Sequence, residues 1–217
     1  MCKDRLVSFL TPPSPCYDRF KKERMRDFLK HFNSDQTVLD IGCRQFVLSF
    51  NHINLDIALY PGVNLIGDAH KLPLKSARID GIIIIAVLEH VVSPDLVVEE
   101  MYRVLKPGGR IYVEVPFLQG YHPDPIDHQR YTKDGLAKVL NKFRIIDSGI
   151  GGGPSSTLCW VLRVYVASFF NTNFLFLFFK FLFGWLTSPL KYLDFFLINK
   201  KRAHILASGF YFIGEKR

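Results

Sequence analysis

The chain has 217 residues, which is enough for one domain with a full hydrophobic core. Hydrophobic residues make up 48% and charged residues 22%, a composition that excludes a disordered segment. The formal net charge of +8 favours an anionic partner, such as a phosphate-bearing substrate, a nucleic acid or an acidic lipid, without choosing among them.

The cysteines and the N-terminal residues indicate the cellular compartment in which the protein is expected. The four cysteines, Cys2, Cys16, Cys43 and Cys159, lack the paired spacing of a metal site or a disulfide framework. The first residues carry charge and contain no apolar stretch long enough for a signal peptide. We therefore expect no metal ion and a reducing, cytoplasmic setting, either free or peripheral at the inner face of the membrane.

Alternating strands and helices dominate the first two thirds of the chain. Aromatic residues three or four positions apart predict an amphipathic helix over residues 17–32. Short β-rich runs predict six strands, over residues 37–41, 53–57, 63–66, 79–85, 110–117 and 143–150. The fourth run, "IDGIIIIAV", is apolar on both faces, as a central strand of a covered parallel sheet must be.

Helix signals lie between the later strands. Ser93 predicts the cap of a helix that runs to about residue 105 and stops at the turn "KPGG". Thr132 predicts the cap of a second helix. Too few residues separate Asp56 from Asp68 for a crossover helix, so we expect only a turn between the second and third strands. This order of elements predicts a doubly wound α/β sheet.

Ligands of such sheets bind beyond the carboxyl ends of the strands. The chain places polar residues there after each of five strands. These positions are residues 40–44, Asp56, and residues 67–70, 86–90 and 116–130. A single aspartate at a strand end is commonly a turn cap, but carboxylates at successive strand ends indicate a binding site.

Five motifs appear in a characteristic order. They read "VLDIGC", "NLDI", "GDAHKLPL", "IDGIIIIAVLEHV" and "MYRVLKPGGRIYVEVP". In order and approximate spacing they resemble the class I S-adenosylmethionine-dependent methyltransferases of the small-molecule, type 11-like kind, including those of bacterial surface-polysaccharide pathways. The resemblance covers about residues 37–149 and implies a Rossmann-like, mostly parallel seven-stranded sheet whose last strand is antiparallel. It also implies S-adenosyl-L-methionine as the cofactor.

The first of these motifs departs from the family pattern. The resemblance implies that Asp40, Gly42 and Cys43 border the methionine part of the cofactor. Further glycines, which let the backbone approach the cofactor, usually stand where this chain has Arg44 and Phe46. Arg44 would either bind the cofactor carboxylate or point to solvent. We expect a trimmed cofactor pocket, open on the adenine side.

The later motifs carry the other implied contacts. Asp56 would accept hydrogen bonds from the ribose hydroxyls, with Ile57 beside it. The adenine edge would be formed by Asp68, Ala69 and His70. Ala86 would begin the floor of the methyl-transfer site. For Glu89 and His90, catalysis and structural hydrogen bonding both stay open.

The loop after the fifth strand, residues 116–132, concentrates aromatic and titratable groups, a composition typical of functional loops. Its His122 and His128 are the candidate bases that take the proton of an acceptor hydroxyl during methyl transfer, with Asp127 as a carboxylate partner. The alternative is that Asp127 and Arg130 pair only to brace the loop.

A helical, aromatic-rich insertion precedes the last strand. That strand is predicted within residues 207–217, antiparallel beside the sixth. The insertion holds two apolar stretches, 158–170 and 174–186, which are too short and too interrupted to span a membrane. We expect Ser155 or Ser156 to cap its first helix. Its helices would either lie on a membrane surface or form a soluble cap over the sheet, and in both cases form much of the acceptor pocket.

These elements are expected to form a single methyltransferase domain. Its parts are a helical segment (1–36), a cofactor-binding core (37–149), the insertion (150–203) and the final strand (204–217). The predicted activity is methyl transfer to a small or a lipid- or sugar-linked acceptor, at oxygen rather than nitrogen or carbon. The alternative is a non-catalytic membrane-surface module with a degenerate cofactor loop. Nucleic acid is not an expected partner, because no basic-aromatic module is present.

Overall fold

A computed structural model of the chain describes residues 12–17, 19–43, 52–123 and 126–217. Seven strands form one sheet in the order β3-β2-β1-β4-β5-β7-β6. They are β1 (Val38–Ile41), β2 (His52–Asp56), β3 (Leu65–Ile66), β4 (Ile79–Ile85), β5 (Leu105–Pro116), β6 (Phe143–Gly152) and β7 (Gly209–Lys216). The first five strands pair in parallel, and β7 lies antiparallel between β5 and β6. The predicted doubly wound, mostly parallel sheet is therefore confirmed.

Six α-helices accompany the sheet in the described part of the chain. They are α1 (Arg19–Leu29), α2 (Pro94–Val104), α3 (Lys133–Val139), α4 (Pro154–Ala167), α5 (Asn173–Thr187) and α6 (Asp194–Leu197). Two 3₁₀ helices, Ser188–Leu193 and Ala203–Leu206, connect the last elements. Residues 57–64 form turns without a helix, which confirms the reduced link expected between β2 and β3.

Both faces of the sheet are covered, as its apolar central strand requires. On one face, Val97 and Met101 of α2 and Leu136 of α3 belong to a cluster with Ile82 and Ile84 of β4. On the other face, Phe28 of α1 packs with Val38, Ile83 and Tyr112. Burying these side chains on both sides removes apolar area from water and leaves only the strand ends for a ligand.

Helix α2 and strand β5 meet differently from the prediction. The helix ends at Val104, but β5 begins at Leu105, so the segment "KPGG" is a bulge inside the strand. The pairing with β4 jumps from Ile79–Leu105 to Gly81–Arg110 across this bulge. Gly108 occupies the left-handed region with φ 76°, which explains why a glycine stands there.

The helix caps agree with the sequence in part. Thr132 caps α3 by accepting the Gly135 N–H at 3.0 Å, as predicted. Ser93 holds the cap position of α2, but its side chain makes no capping hydrogen bond. The prediction for α4 is wrong, because its cap is Gly153. A Cβ at that residue would overlap the Asp194 carboxylate, which occupies the place of a capping side chain.

The insertion forms an aromatic hairpin, defined here as residues 154–197, in which α4 packs against α5. The rings of Phe170 and Phe179 stack at a centroid distance of 4.1 Å. Many other apolar side chains are exposed, among them Phe174 at 77% and Phe196 at 65%. A soluble cap that buries its phenylalanines on the sheet is therefore not what the fold shows.

The length of the second half of this hairpin differs from the prediction. The helical stretch Asn173–Leu197 has 25 residues, because the chain stays helical beyond α5, and only 11% of its apolar window is buried. By length and composition alone it could cross a membrane. The prediction that the apolar stretch is too short to span is therefore wrong on length.

Candidate active site

A tight turn follows β1, at the edge where the parallel strands end. Gly42 has φ 75° and donates its N–H to the Leu55 carbonyl of β2 at 2.8 Å. A Cβ at this position would overlap the side chain of Val87, which follows β4. Only glycine therefore fits both the backbone angle and the space. Arg44, the predicted partner of the cofactor carboxylate, lies outside the described residues.

Two buried carboxylates, Asp40 on β1 and Asp56 on β2, form what we call the acidic pair. Asp40 pairs with Asn54 across the strands, so Asp40 and Asp56 point to the same face of the sheet. Burial and then the charge of Asp56 raise the pKa of Asp40 to about 7. Burial and the same two carboxylates raise the pKa of the Cys43 thiol to about 11, so Cys43 is not a reactive thiolate at neutral pH.

The acidic pair suits the cofactor that the sequence implies. Two buried carboxylates on one face of the sheet favour a ligand that brings positive charge and hydroxyl donors. S-adenosylmethionine has both, in its ammonium and sulfonium groups and its ribose. Asp56 accepts the Ala58 N–H at 3.3 Å on one carboxylate oxygen, which orients the side chain within its turn. Ile57, next to Asp56, is 72% exposed.

The predicted adenine edge is held by a local hydrogen-bond network. Asp68 accepts from the His70 N–H at 2.9 Å and lies 2.7 Å from His70 Nδ1. The Ser93 N–H at the start of α2 donates to His70 Nε2 at 3.3 Å. This places the imidazole proton on Nδ1 and makes His70 a brace between the β3 loop and α2. The hydrogen bonds from His70 hold the pKa of Asp68 below its ordinary value. Ala69 is buried in the core cluster.

The backbone is strained where β4 ends. Ala86 has φ 53°, a conformation rare for a residue with a Cβ, and its N–H donates to the Glu114 carbonyl of β5 at 2.9 Å. Strain of this kind persists where the surroundings impose it, and it is concentrated at functional sites. Ala86 is exposed, which agrees with the implied position at the floor of a methyl-transfer site.

Three side chains converge beyond the ends of β4 and β5, and we call them the Glu-His-His cluster: Glu89, His90 and His122. Their ligating atoms all lie within 4.8 Å of one another. Glu89 is fully buried, and among the described residues no donor makes a hydrogen bond of good geometry to either of its carboxylate oxygens. Burial raises the pKa of Glu89, although its own backbone N–H, the neighbouring histidines and Arg130 oppose this effect. The two imidazole rings meet edge to face at a centroid distance of 5.4 Å.

Backbone carbonyls orient both histidines of the cluster. His90 Nδ1 lies 2.7 Å from the Ile126 carbonyl, and His122 Nδ1 lies 2.8 Å from the Gly120 carbonyl. A carbonyl oxygen can only accept, so each Nδ1 carries the proton and each Nε2 keeps a free lone pair. Arg130 is 3.2 Å from His122 Nδ1, but it donates to the Gly120 carbonyl at 3.1 Å and to Asp127.

The other two predicted catalytic residues have different surroundings. The Asp127 carboxylate binds Arg130 through both of its oxygens and accepts the His122 N–H at 2.9 Å. These contacts, led by the Arg130 hydrogen bonds, hold the pKa of Asp127 well below its usual range. Asp127 therefore braces the loop, which is the alternative that the sequence left open. The His128 side chain is exposed, and its N–H donates to the Glu89 carbonyl at 2.8 Å.

The structure thus brings together part of the predicted site. The acidic pair and Gly42 lie at the ends of β1 and β2, and His122 joins a cluster at the neighbouring ends of β4 and β5. Sequence alone does not identify Glu89 as a site residue, because a glutamate after a strand does not reveal that its carboxylate will be buried without a hydrogen-bond partner among the described residues. Its position directly before His90 and after an apolar strand was the available signal.

The comparisons with known proteins agree with this geometry. Residues 29–113 match a family model described as "Methyltransferase domain". A methyltransferase of Archaeoglobus fulgidus, described as dependent on S-adenosylmethionine, has a similar structure, with a TM-score of 0.57 and 17% identity over 92% of this chain and 95% of that chain. A phosphoethanolamine N-methyltransferase of Haemonchus contortus, in complex with S-adenosylmethionine, gives a TM-score of 0.53 and 14% identity over 90% of this chain and 52% of that chain.

Curated relatives match over shorter stretches. A demethylmenaquinone methyltransferase of Streptomyces avermitilis is 45% identical over 47 residues, which are 22% of this chain and 20% of that protein. An uncharacterized 37.1 kDa protein in a transposon of Streptomyces fradiae is 35% identical over 78 residues, which are 35% of this chain and 23% of that protein. The chain thus spans about a fifth of the length of the curated relatives it matches.

The fold is the Rossmann-like fold of the solved methyltransferase structures that this chain resembles. The family-model match over residues 29–113 agrees with the resemblance drawn from the sequence motifs. The predicted fold is confirmed by the sheet and by this structural similarity.

Proposed function

We propose that this protein transfers a methyl group from S-adenosylmethionine to an oxygen atom of a small, lipid-linked or sugar-linked acceptor. The observation that carries this proposal is that two different groups of residues lie next to each other at the strand ends. We call them the cofactor half-site and the acceptor half-site. The acidic pair suits a cationic cofactor, and the Glu-His-His cluster next to it offers proton acceptors. Methylation of a hydroxyl requires the loss of its proton, so a cluster with free imidazole lone pairs suits an oxygen acceptor.

The residues of the cofactor half-site would act by binding and alignment. Asp56 would accept from the ribose hydroxyls, and the Asp40 carboxylate would face the cationic end of the cofactor. Gly42 would let the backbone come close. The bound cofactor supplies a methyl group already activated on a sulfonium sulfur. The protein therefore needs chiefly to hold the acceptor in line and to exclude water.

The acceptor half-site would take the proton. Within the cluster, His122 is the candidate base that the sequence proposed and that also lies beside a buried carboxylate. Its Nδ1 proton is fixed on the Gly120 carbonyl, so the lone pair of Nε2 is directed into the cluster. His128 is a weaker candidate, because its side chain is exposed.

Membrane association is the second part of the proposal, and the aromatic hairpin supports it. Apolar side chains of α5 are exposed along most of its length, including Phe174, Leu177 and Leu186 at 60% or more. Large exposed apolar surfaces of this kind mark interaction sites. Three exposed basic residues follow the hairpin, Lys200, Lys201 and Arg202, and each adds roughly 1 kcal/mol of attraction to an anionic surface when close to it.

A basic cleft beside the hairpin supports an anionic lipid in particular. It has a volume of about 350 Å³ and lies between α1 and the 3₁₀ helix Ser188–Leu193. Its lining includes Arg19, Lys22, Arg26 and Lys191, with Glu23 as the acidic member. Arg19 pairs with Glu23, and the three other cations around the cleft favour a phosphate-bearing headgroup.

The hairpin also leaves the sheet at the edge that holds the site. Gly209 pairs with Pro116 at the end of β5 and with Gly152 at the end of β6. The loop 116–132 and the aromatic hairpin therefore start from the same end of the sheet, where β5 and β6 finish. This arrangement supports an acceptor that stays in a membrane while its head enters the site. A non-catalytic surface module would not need Gly42 or the acidic pair.

The proposal is tested by labelled methyl transfer. The protein is incubated with S-adenosylmethionine carrying a deuterated methyl group and with membrane lipid and polysaccharide extracts of cells that express it. Mass spectrometry then locates the label, and an Asp56→Ala variant at low cofactor concentration serves as the control with weakened cofactor binding. Label on an oxygen of a lipid or glycan supports the proposal. Label confined to nitrogen or carbon, or no cofactor binding at millimolar concentration, contradicts it.

A further inference from the structure

We propose that the Glu-His-His cluster is a binding site for one divalent transition-metal ion of the zinc type, with open coordination positions that face the acceptor. The ligands would be a Glu89 carboxylate oxygen and the Nε2 atoms of His90 and His122. The inference rests on the proposed function only for what the metal does to an acceptor. Metal binding itself can be measured without acceptor or cofactor.

The distances within the cluster fit a metal ion better than a direct ion pair. Glu89 Oε1 lies 3.7 Å from His90 Nε2 and 3.7 Å from His122 Nε2. Two ligands at about 2.1 Å from a tetrahedral zinc ion are separated by about 3.4 Å. The same 3.7 Å exceeds hydrogen-bond length, so the histidines do not satisfy the carboxylate directly.

The second ring nitrogens of the two histidines are also arranged as in metal sites. A metal-ligating histidine almost always donates its other N–H to a carbonyl, a carboxylate or water, which fixes the tautomer and the ring orientation. His90 donates to the Ile126 carbonyl and His122 donates to the Gly120 carbonyl. Both lone pairs are therefore held toward Glu89 before any ion arrives.

Glu89 gives an independent reason for a cation. A fully buried carboxylate is costly when, as here within the described part of the chain, no donor makes a well-formed hydrogen bond to it, and an ion within the cluster would satisfy it. The nearby positive charge of Arg130 does not oppose such an ion strongly, because Asp127 pairs with it. Glu89 and Asp127 together leave the surroundings with a net negative charge that favours a cation.

The ligand types indicate which ion would bind. Two imidazoles with one carboxylate suit zinc, iron, cobalt or nickel, whereas magnesium and calcium prefer oxygen ligands throughout. Three protein ligands leave at least one position for water or substrate, as in catalytic zinc sites. An acceptor hydroxyl in that position would have its pKa lowered and would lose its proton to water before methyl transfer. The carbon–oxygen bond then forms as the carbon–sulfur bond breaks, with the electron pair returning to sulfur.

His122 cannot be both a metal ligand and the base, because each role uses its Nε2 lone pair.

The test is calorimetric titration of untagged, chelator-treated protein with zinc chloride, repeated with cobalt chloride while visible absorption is recorded. We expect one ion per chain and absorption bands of cobalt in a low-coordinate nitrogen and oxygen environment. Glu89→Gln and His122→Gln should each weaken binding at least tenfold. His128→Gln, on the same loop, should bind like the wild type.

The outcomes separate the two proposals. No stoichiometric binding, or binding unchanged in both ligand variants, would overturn the metal site and leave His122 as the base. Circular dichroism checks that each variant folds, and His122→Gln, on a surface loop, serves if Glu89→Gln does not fold. S-adenosylhomocysteine is titrated into the same samples. Metal binding without cofactor binding would keep the metal site and remove the proposed methyl transfer.

Discussion

Asp40 and Asp56 point to the same face from adjacent parallel strands, and both are buried. Their mutual repulsion adds to the burial that already keeps Asp40 partly protonated near neutral pH, with its pKa raised to about 7. The protein without a ligand therefore carries a cost at the same place where a cationic cofactor would relieve it.

Replacing Asp40 with Asn should change how stability depends on pH. A folded-state pKa of about 7 against 3.8 in the unfolded chain means that the stabilising contribution is complete below pH 3.8 and is lost as pH rises through 7. Over this pH range the free energy of unfolding falls by about 4 kcal/mol at most. Urea unfolding of the wild type and of Asp40→Asn between pH 5 and 8 measures it. The variant should gain stability relative to the wild type as pH rises, and a constant difference would contradict the assigned pKa.

Replacing Asp56 with Ala should weaken cofactor binding by about 1–3 kcal/mol, the usual loss when hydrogen bonds to a charged acceptor are removed. Calorimetric titration with S-adenosylhomocysteine measures the effect. Asp35→Ala, an exposed carboxylate before β1, is the matched control and should bind normally. Equal affinity in the two variants would remove Asp56 from the cofactor site.

Replacing His122 with Gln should lower turnover by about 10²–10⁴-fold, the range for loss of an acid–base group, and leave affinity for S-adenosylhomocysteine unchanged. His128→Gln should have a much smaller effect, since its side chain is exposed. Turnover is measured once the labelling experiment has supplied an acceptor. Full activity of the His122 variant would reduce the loop to a structural role.

The aromatic hairpin should bind vesicles. Wild-type protein should co-sediment with vesicles in proportion to their anionic lipid and should be released by salt. The triple variant Phe174→Ser, Leu177→Ser and Phe181→Ser should bind much less, because it removes exposed apolar area from α5. Ile145→Ser, which removes an exposed apolar side chain from the edge strand β6, is the control.

Alkaline extraction of cell membranes then separates the two ways in which this hairpin can meet a lipid bilayer. Protein that lies on the surface should be released, and this is the expected result. Protein that resists extraction would show that Asn173–Leu197 crosses the membrane, as its length and composition allow.

Replacing Asp194 with Ala should destabilise the hairpin. The buried Asp194 carboxylate accepts the N–H groups of Ser155 and Ser156 at 2.8 and 2.9 Å and the Ser156 hydroxyl at 2.6 Å. Removing it leaves these donors buried without an acceptor, at a cost of about 1–3 kcal/mol for each unsatisfied group. Thermal unfolding should show a lower Tm. Asp134→Ala in the exposed first turn of α3 should change it little.

The sequence predicted the sheet well because strand patterns are local. The limits of β4 and the cap at Thr132 follow from the side chains of those segments alone. The cap of α4 could not be found in this way, because it comes from Asp194, far along the chain. The bulge in β5 was also missed, since "KPGG" reads as a helix stop whether or not the next strand has begun.

At the site, too, local patterns were predicted and contacts between residues far apart in the chain were not. Aspartates at strand ends predicted the acidic pair, but the Glu-His-His cluster depends on a loop folding back across β4 and β5. Spacing in the sequence does not show that His122 approaches Glu89. The pairing of Asp127 with Arg130, by contrast, was one of the two alternatives that the sequence offered, and the structure shows it.

The position of β7 in the sheet has a consequence for synthesis on the ribosome. This strand fills the gap between β5 and β6, yet it follows the aromatic hairpin in the chain. The hairpin therefore emerges while the facing edges of β5 and β6 still lack their partner, and open edges beside exposed phenylalanines invite aggregation. A nascent chain that meets a bilayer at this stage would shelter its aromatic residues before the last strand arrives to close the sheet.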